Sequence, residues 1–419
     1  MSIITITRTG AEEILDSRGD PTLKAWVELS NGERAEAAVP SGASTGAHEA
    51  RELRDGGPRF GGKGERKAVG LVTTVISDAL RGMDVTDQGA IDNRMIGLDG
   101  TPDRSKLGAN SILGVSLACA RAGSLVEKKP LYRYLRDHFS LPEPRTFPKP
   151  MCNILNGGRH ADNSVSFQEY LVLPEGATFE LQIERAWSVI HTLKGMLVEK
   201  KERTTVGDEG GFAPMLASNE DGLTIIAEAI ERAQLKLGKD IAMGIDAASS
   251  EFYDADRKVY LLKPEGKEYQ GDDLVKFYAT LVKKYHLHTI EDGCAEDDFD
   301  LWKKLTAALG KKALLIGDDL FVTQKERLLR GIRERAANAI LIKPNQVGTL
   351  TETMDTIATA RTAKFACVVS HRSGETNDDF IADLAVAVGS PYLKAGSLTR
   401  EERLAKYNRL LEIAREVGA

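Results

Sequence analysis

Cysteine is scarce in this chain of 419 residues: there are four, at Cys119, Cys152, Cys294 and Cys367. They are too widely spaced for a zinc motif and too few for a disulfide framework in a chain of this length. A reducing compartment, the cytoplasm, is expected. Long apolar runs are lacking too. None approaches the roughly 20 residues that cross a bilayer, and the opening MSIITITRTG has neither the basic start nor the apolar stretch of a secretory signal. No membrane is expected as a partner. An excess of positive charge is also missing: 56 basic against 62 acidic residues leave −6. Without clustered cations, nucleic acid is not an expected partner either. What is present, 42% apolar and 28% charged, is the balance of a globular protein. The length accommodates a large barrel and a second domain.

The first third mixes strand and helix signals. Leu23, Ala25, Val27 and Leu29 alternate, Asn31-Gly32 offers a two-residue hairpin turn, and residues 34–39 return. Val69, Val72, Ile76 and Leu80 follow a helical period, and a second helix is expected through Ile112, Val115 and Cys119. Strands followed by helices predict an α+β domain over residues 1–140. Residues 141–150 carry Pro142, Pro144, Pro148 and Pro150 and read as a linker, because proline removes donors and fixes φ.

Residues 141–419 have a different rhythm. Short apolar runs at 241–245, 287–290, 313–316, 337–342, 366–369 and 392–393 alternate with amphipathic stretches such as Leu274, Tyr278 and Leu281. That alternation predicts an α/β barrel of parallel strands with crossover helices.

Each run ends in a reactive residue: Asp246, Glu291-Asp292, Asp318-Asp319, Lys343, His371-Arg372 and Lys394. Steps of 27, 25, 28 and 23 residues separate Glu291, Asp318, Lys343, His371 and Lys394, each close to one βα unit. A gap of 45 separates Asp246 from Glu291. The C-terminal ends of barrel strands all face one mouth, where barrel enzymes keep their active sites. A lone acid after a strand is more often a helix cap or loop charge, and a lone lysine is usually solvated. Six strand ends in order are what turn these residues into one pocket.

Three carboxylates on separate strands, Asp246, Glu291 and Asp318, repel one another unless a cation lies between them. Hard oxygen donors suit Mg²⁺. Lys343, Arg372 and Lys394 add positive charge on the opposite side, which makes a site for a small, highly anionic substrate. Upstream, Pro40-Ser41-Gly42-Ala43-Ser44-Thr45-Gly46 is rich in small residues that bring backbone N–H groups or hydroxyls near an anion or metal. Val206-Gly207-Asp208-Glu209-Gly210-Gly211 sets a carboxylate among glycines, which allow close approach. Plain loops and turns would have the same composition.

Taken together, ILDSRGDPT, VPSGASTGAHEA, LGANSILGVSLA, NILNGGRHADN, FQEY, VGDEGGFAP, IEDG, GDDLFVT, LIKPNQVGTLTET, VSHRSGET and IADLAVA resemble the enolase family, in family order. The resemblance implies an N-terminal α+β capping domain and a modified TIM barrel whose first turn is irregular. It implies a lyase interconverting 2-phosphoglycerate and phosphoenolpyruvate plus water. It assigns Asp246, Glu291 and Asp318 to one Mg²⁺ and Ser44 to a second, bound with substrate. Lys343 matches the base that takes the C2 proton, and Glu209 the acid that protonates the departing hydroxyl, supported by Glu169. His160, Gln168, His371, Arg372, Ser373 and Lys394 match substrate-contacting positions, with Arg372 and Ser373 on the phosphate.

This chemistry needs Lys343 neutral, and nearby metal and Lys394 would lower its pKa. It also needs Glu209 protonated when the hydroxyl leaves. The alternative is a paralogue dehydrating a related phosphono acid, as in carboxyphosphonoenolpyruvate synthesis; Ala395, where the family commonly has Thr or Ser, leaves room for it. The family also implies a homodimer, or an oligomer of dimers, joined through the N-terminal sheet and the last helix. Lys24 and Glu412 there suggest a reciprocal charge swap, and Glu12 and Arg415 depart from the common pattern as well.

Overall fold

The alternation in the N-terminal third becomes a three-stranded antiparallel meander of Ile6–Leu15, Pro21–Leu29 and Arg34–Ala38. The structure is a computed structural model that describes residues 3–42, 46–161 and 165–419. Leu23, Ala25, Val27 and Leu29 all point into the core, because a pleated strand sends every second side chain to one face. The turn is longer than the predicted two residues. Leu29 N donates to Glu33 O, and Gly32 N to Leu29 O, each at 2.9 Å, leaving Ser30, Asn31 and Gly32 in the loop. Gly32 at φ +87 takes the left-handed position that closes a three-residue hairpin. Asn31 Oδ1 accepts from Glu33 N at 3.0 Å and holds the extra residue in place.

The helix Ala109–Val126 covers the apolar face of this sheet, with Ile112, Val115 and Cys119 fully buried. Gly114 permits the close approach: a Cβ there would lie 2.9 Å from both Ala25 Cβ and Leu23 Cδ1, nearer than carbons pack. This helix also corrects the sequence reading. Its 18 residues are long and apolar enough to cross a bilayer, yet 83% of them are buried inside the protein. Its many Ala, Gly and Ser residues keep it from standing out as an apolar run. Beside it, Val72, Ile76 and Leu80 are buried along the consecutive helical turns Arg66–Leu71, Val72–Ile76 and Ser77–Leu80.

Eight strands close a barrel: Lys149–Asn156, Glu169–Pro174, Ile241–Asp246, Leu287–Glu291, Leu314–Gly317, Ala339–Ile342, Ala366–Ser370 and Tyr392–Lys394. Six are the predicted apolar runs. The first was read as linker as far as Pro150, but Pro150 lies in the strand opposite Leu393, near the strand start, where proline is tolerated. The second strand is antiparallel to both neighbours, so the barrel is not uniformly parallel. Met151, Leu171, Leu341 and Val368 fill its interior, making it a packed core rather than a pore. The long step from Asp246 to Glu291 holds a small antiparallel sheet, Tyr253–Asp254, Val259–Leu262 and Lys267–Tyr269, before the helix Asp272–Tyr285.

Candidate active site

Asp246, Glu291 and Lys394 are the last residues of their strands, and Asp318, Lys343 and His371 follow theirs directly. Glu169 reaches the same mouth from the opposite direction, as the first residue of the reversed strand. Its backbone partner is Asp246. His160 and Glu209 come from the loops. With Gln168, Arg372 and Ser373, all of these except Glu291 line one narrow cavity of about 30 Å³, room for a water or two. Ser44 lies outside the described residues.

The lysines do not face the carboxylates from across the pocket as expected; they reach in among them. Lys394 Nζ donates to both oxygens of Glu291 at 2.8 Å, and to Asp246 Oδ2 at 3.3 Å. It also lies 3.2 Å from Glu169 Oε2. Lys343 Nζ pairs with Asp318 Oδ2, while Gln346 Nε2 donates to Asp318 Oδ1 at 2.9 Å. Asp292 takes a supporting role: its carboxylate accepts from Asp318 N at 3.0 Å and Asp319 N at 2.8 Å, which fixes the turn presenting Asp318.

Burial and crowding set the protonation states. Burial pushes the Glu291 carboxyl well up, with Asp246 adding to it and Lys394 opposing. Burial is the largest influence on Lys343 and lowers its pKa, as Arg372 and Lys394 do, but the carboxylates around it, Asp318 first and then Glu291, leave it raised without metal. At Glu169, burial and then the Glu209 charge raise the pKa well above the ordinary value. At Glu209, burial is outweighed by His371 and His160, and its pKa is lowered. The two neighbouring carboxyls are therefore shifted in opposite directions, Glu169 up and Glu209 down. His160 Nδ1 lies 3.6 Å from each of them.

The donor set fits magnesium. Asp246, Glu291 and Asp318 offer hard oxygens only, and these buried carboxylates are now neutralised by two lysines; a divalent ion would supply the same charge. The groups of ligand atoms within 4.8 Å of one another are, among the described residues, Asp292–Asp318–Asp319 and His160–Glu169–Glu209. The predicted triad is not one of these groups; Lys394 Nζ bridges Glu291 and Asp246, and Lys343 Nζ pairs with Asp318.

Residues 6–135 match the enolase N-terminal domain, and residues 144–419 match the enolase C-terminal TIM barrel domain. The chain belongs to the enolase family. It is therefore a magnesium-dependent lyase of the enolase superfamily, with an N-terminal capping domain set against a modified α/β barrel.

Several residues of this enolase site escaped the sequence reading. Glu49 holds the Arg372 guanidinium, and Asn345 Oδ1 accepts from Arg372 Nη1 at 3.0 Å. Asn153 Nδ2 donates to Glu209 Oε2 at 3.2 Å. Glu49 sits within the quoted VPSGASTGAHEA segment, so a signal existed there. Arg403, on the helix Glu401–Val417, has none: it looks like any helical arginine.

Proposed function

We propose that the protein interconverts 2-phosphoglycerate and phosphoenolpyruvate. The observation that carries this reading is that Lys343, Glu209 and the Arg372-Ser373 pair all line one cavity. A base, an acid and an anion-binding fork are the groups this dehydration needs. Lys343 Nζ takes the C2 proton, after giving up its own proton and its pairing with Asp318. Glu209 delivers a proton to the departing C3 hydroxyl in one direction and takes one from water in the other. Its lowered pKa suits the second role, and Glu169, whose pKa is raised, is the neighbour that would supply a proton for the first. Arg372 and Ser373 hold the phosphate. Asp246, Glu291 and Asp318 would hold one magnesium ion, and Ser44 would help hold a second with substrate; such metal would supply positive charge to stabilise the substrate carboxylate when the C2 proton is removed.

The test is appearance of phosphoenolpyruvate absorbance from 2-phosphoglycerate and Mg²⁺. A protein silent in that assay but active on a phosphono analogue would be the paralogue instead. Ala395, fully buried beside Lys394, brings no hydroxyl to either substrate.

We also propose a homodimer through the groove of about 1050 Å³ between the N-terminal sheet and the last helix. Leu15 (58% exposed) and Leu125 (47%) line it. Lys24 is paired within the chain to Glu12 at 2.9 Å and Glu36 at 3.3 Å, and Glu412 to Arg409 at 3.1 Å. The exposed Leu15 and Leu125 in this otherwise largely polar groove thus support association more than a charge swap does. A monomer by light scattering would refute it.

A further inference from the structure

We propose that Arg403 is a positioning residue that locks His371 in its Nε2–H tautomer, so that the ring presents a fixed N–H to Glu209. Arg403 is fully buried. Its Nη1 lies 2.7 Å from His371 Nδ1. A guanidinium has only donors and keeps its proton in proteins, so Nδ1 must supply the lone pair. The proton of a neutral imidazole then resides on Nε2. Nε2 lies 3.2 Å from Glu209 Oε2, without hydrogen-bond geometry in this structure, and its hydrogen places partial positive charge beside that carboxylate. The opposite tautomer would set a lone pair against Glu209 and two donors against each other at Nδ1.

The same guanidinium joins the two halves of the site. Nη1 donates to Arg372 O at 2.6 Å, and Nη2 to Ser373 O at 2.6 Å and Asp208 O at 3.1 Å. The segment carrying the anion fork and the turn carrying Glu209 are therefore held by one side chain. Gly396 makes room for the junction. At φ +74, a Cβ there would meet Glu209 O at 2.7 Å, Arg403 Cδ at 3.0 Å and His371 Cε1 at 3.1 Å.

Three charged groups face the His371 ring: Glu209 at Nε2, Arg403 at Nδ1, and Lys394 beyond. Burial first, and then Arg403 and Lys394, keep the imidazolium from forming, while Glu209 opposes; the net pKa falls to about 3. In this setting His371 is neither acid nor base near neutrality. It is a neutral ring whose Nε2–H stays beside Glu209 and favours the carboxylate. The spectroscopic test below stands without the assignment of substrate; the kinetic one rests on the acid–base role of Glu209.

The test is ¹⁵N NMR of histidine-labelled whole protein, with His371 assigned by loss of its signals in His371→Gln. The expected wild-type result at pH 7 is a protonated Nε2 and a bare Nδ1, unchanged down to pH 5. A protonated Nδ1, or a charged ring at pH 7, overturns the proposal whatever any variant does. In Arg403→Met the ring should lose its single tautomer and its pKa should rise, while burial still holds it below the ordinary histidine value of about 6.5. The same ionisation should enter the pH profile of kcat/KM and vanish in the double variant with His371→Gln. If Arg403→Met does not fold, Arg403→Lys keeps one donor and should keep the tautomer. A folded Arg403 variant lacking a donor that retains the wild-type tautomer and pH profile would reduce Arg403 to packing and refute its role.

Discussion

Arg372 and Glu49 share two hydrogen bonds, Nη1 to Oε2 at 2.8 Å and Nη2 to Oε1 at 3.1 Å, across 323 positions of sequence. The broad end of the guanidinium, the face that binds phosphate two bonds at a time, is thus engaged by a carboxylate from the chain itself. A phosphate taking that face would meet Glu49 at a few ångströms, where like charges repel strongly in a buried site. Glu49→Gln keeps the shape and removes the charge. Inorganic phosphate should then bind up to about tenfold more tightly by calorimetry, ~1.4 kcal/mol. Weaker binding would mean that Glu49 orients the fork instead of competing for it.

Asp318 links the proposed metal site to Lys343, the proposed base. In Asp318→Asn the Lys343 ammonium loses the carboxylate that does most to raise its pKa, so Lys343 should release its proton at lower pH. Magnesium affinity should fall by roughly ten- to a hundredfold, the range seen when a metal site loses a supporting group. Calorimetry with Mg²⁺ reads the second effect directly; unchanged affinity would remove Asp318 from the ligand set.

Lys343→Ala separates proton abstraction from binding. Exchange of the substrate C2 proton with solvent should stop, while Mg²⁺ binding persists. Exchange that continues at the wild-type rate would take Lys343 out of the role of base.

Glu65 offers a test far from the chemistry. It is fully buried, and burial raises its pKa from 4.5 to about 8, with Arg54 opposing. Between those values the folded chain keeps a proton that the unfolded chain has lost. Stability therefore falls as pH rises through that window, by at most about 1.4 kcal/mol per pH unit from this group. In Glu65→Gln that part of the slope should disappear. Urea midpoints for both proteins from pH 5 to pH 9 should converge at the acid end and separate at the alkaline end, with the variant the more stable there.

The barrel was legible where one residue does one job. Asp246, Glu291, Asp318, Lys343, His371 and Lys394 each end an apolar run, and regular βα spacing alone carries them to one mouth. Glu169 broke that rule: it begins its strand, and only a reversed strand brings a first residue to that end. The interleaving of Lys394 with Glu291 and Asp246 was invisible too, because side-chain reach does not follow from order along the chain. Arg403 was the least visible, since its value lies in three backbone carbonyls and one ring nitrogen, none of which leaves a mark in composition or period.

The helix Glu401–Val417 has a consequence for the order in which the protein is made. All three metal-binding candidates and Lys343 have been synthesised long before residue 403 exists. A nascent chain can therefore gather its carboxylates while the His371 ring, the Asp208 turn and the Ser373 carbonyl still lack their shared anchor. Activity would arrive late and abruptly during synthesis, with the helix that contains Arg403, and a chain stalled a few residues short of it would hold the ingredients without the arrangement.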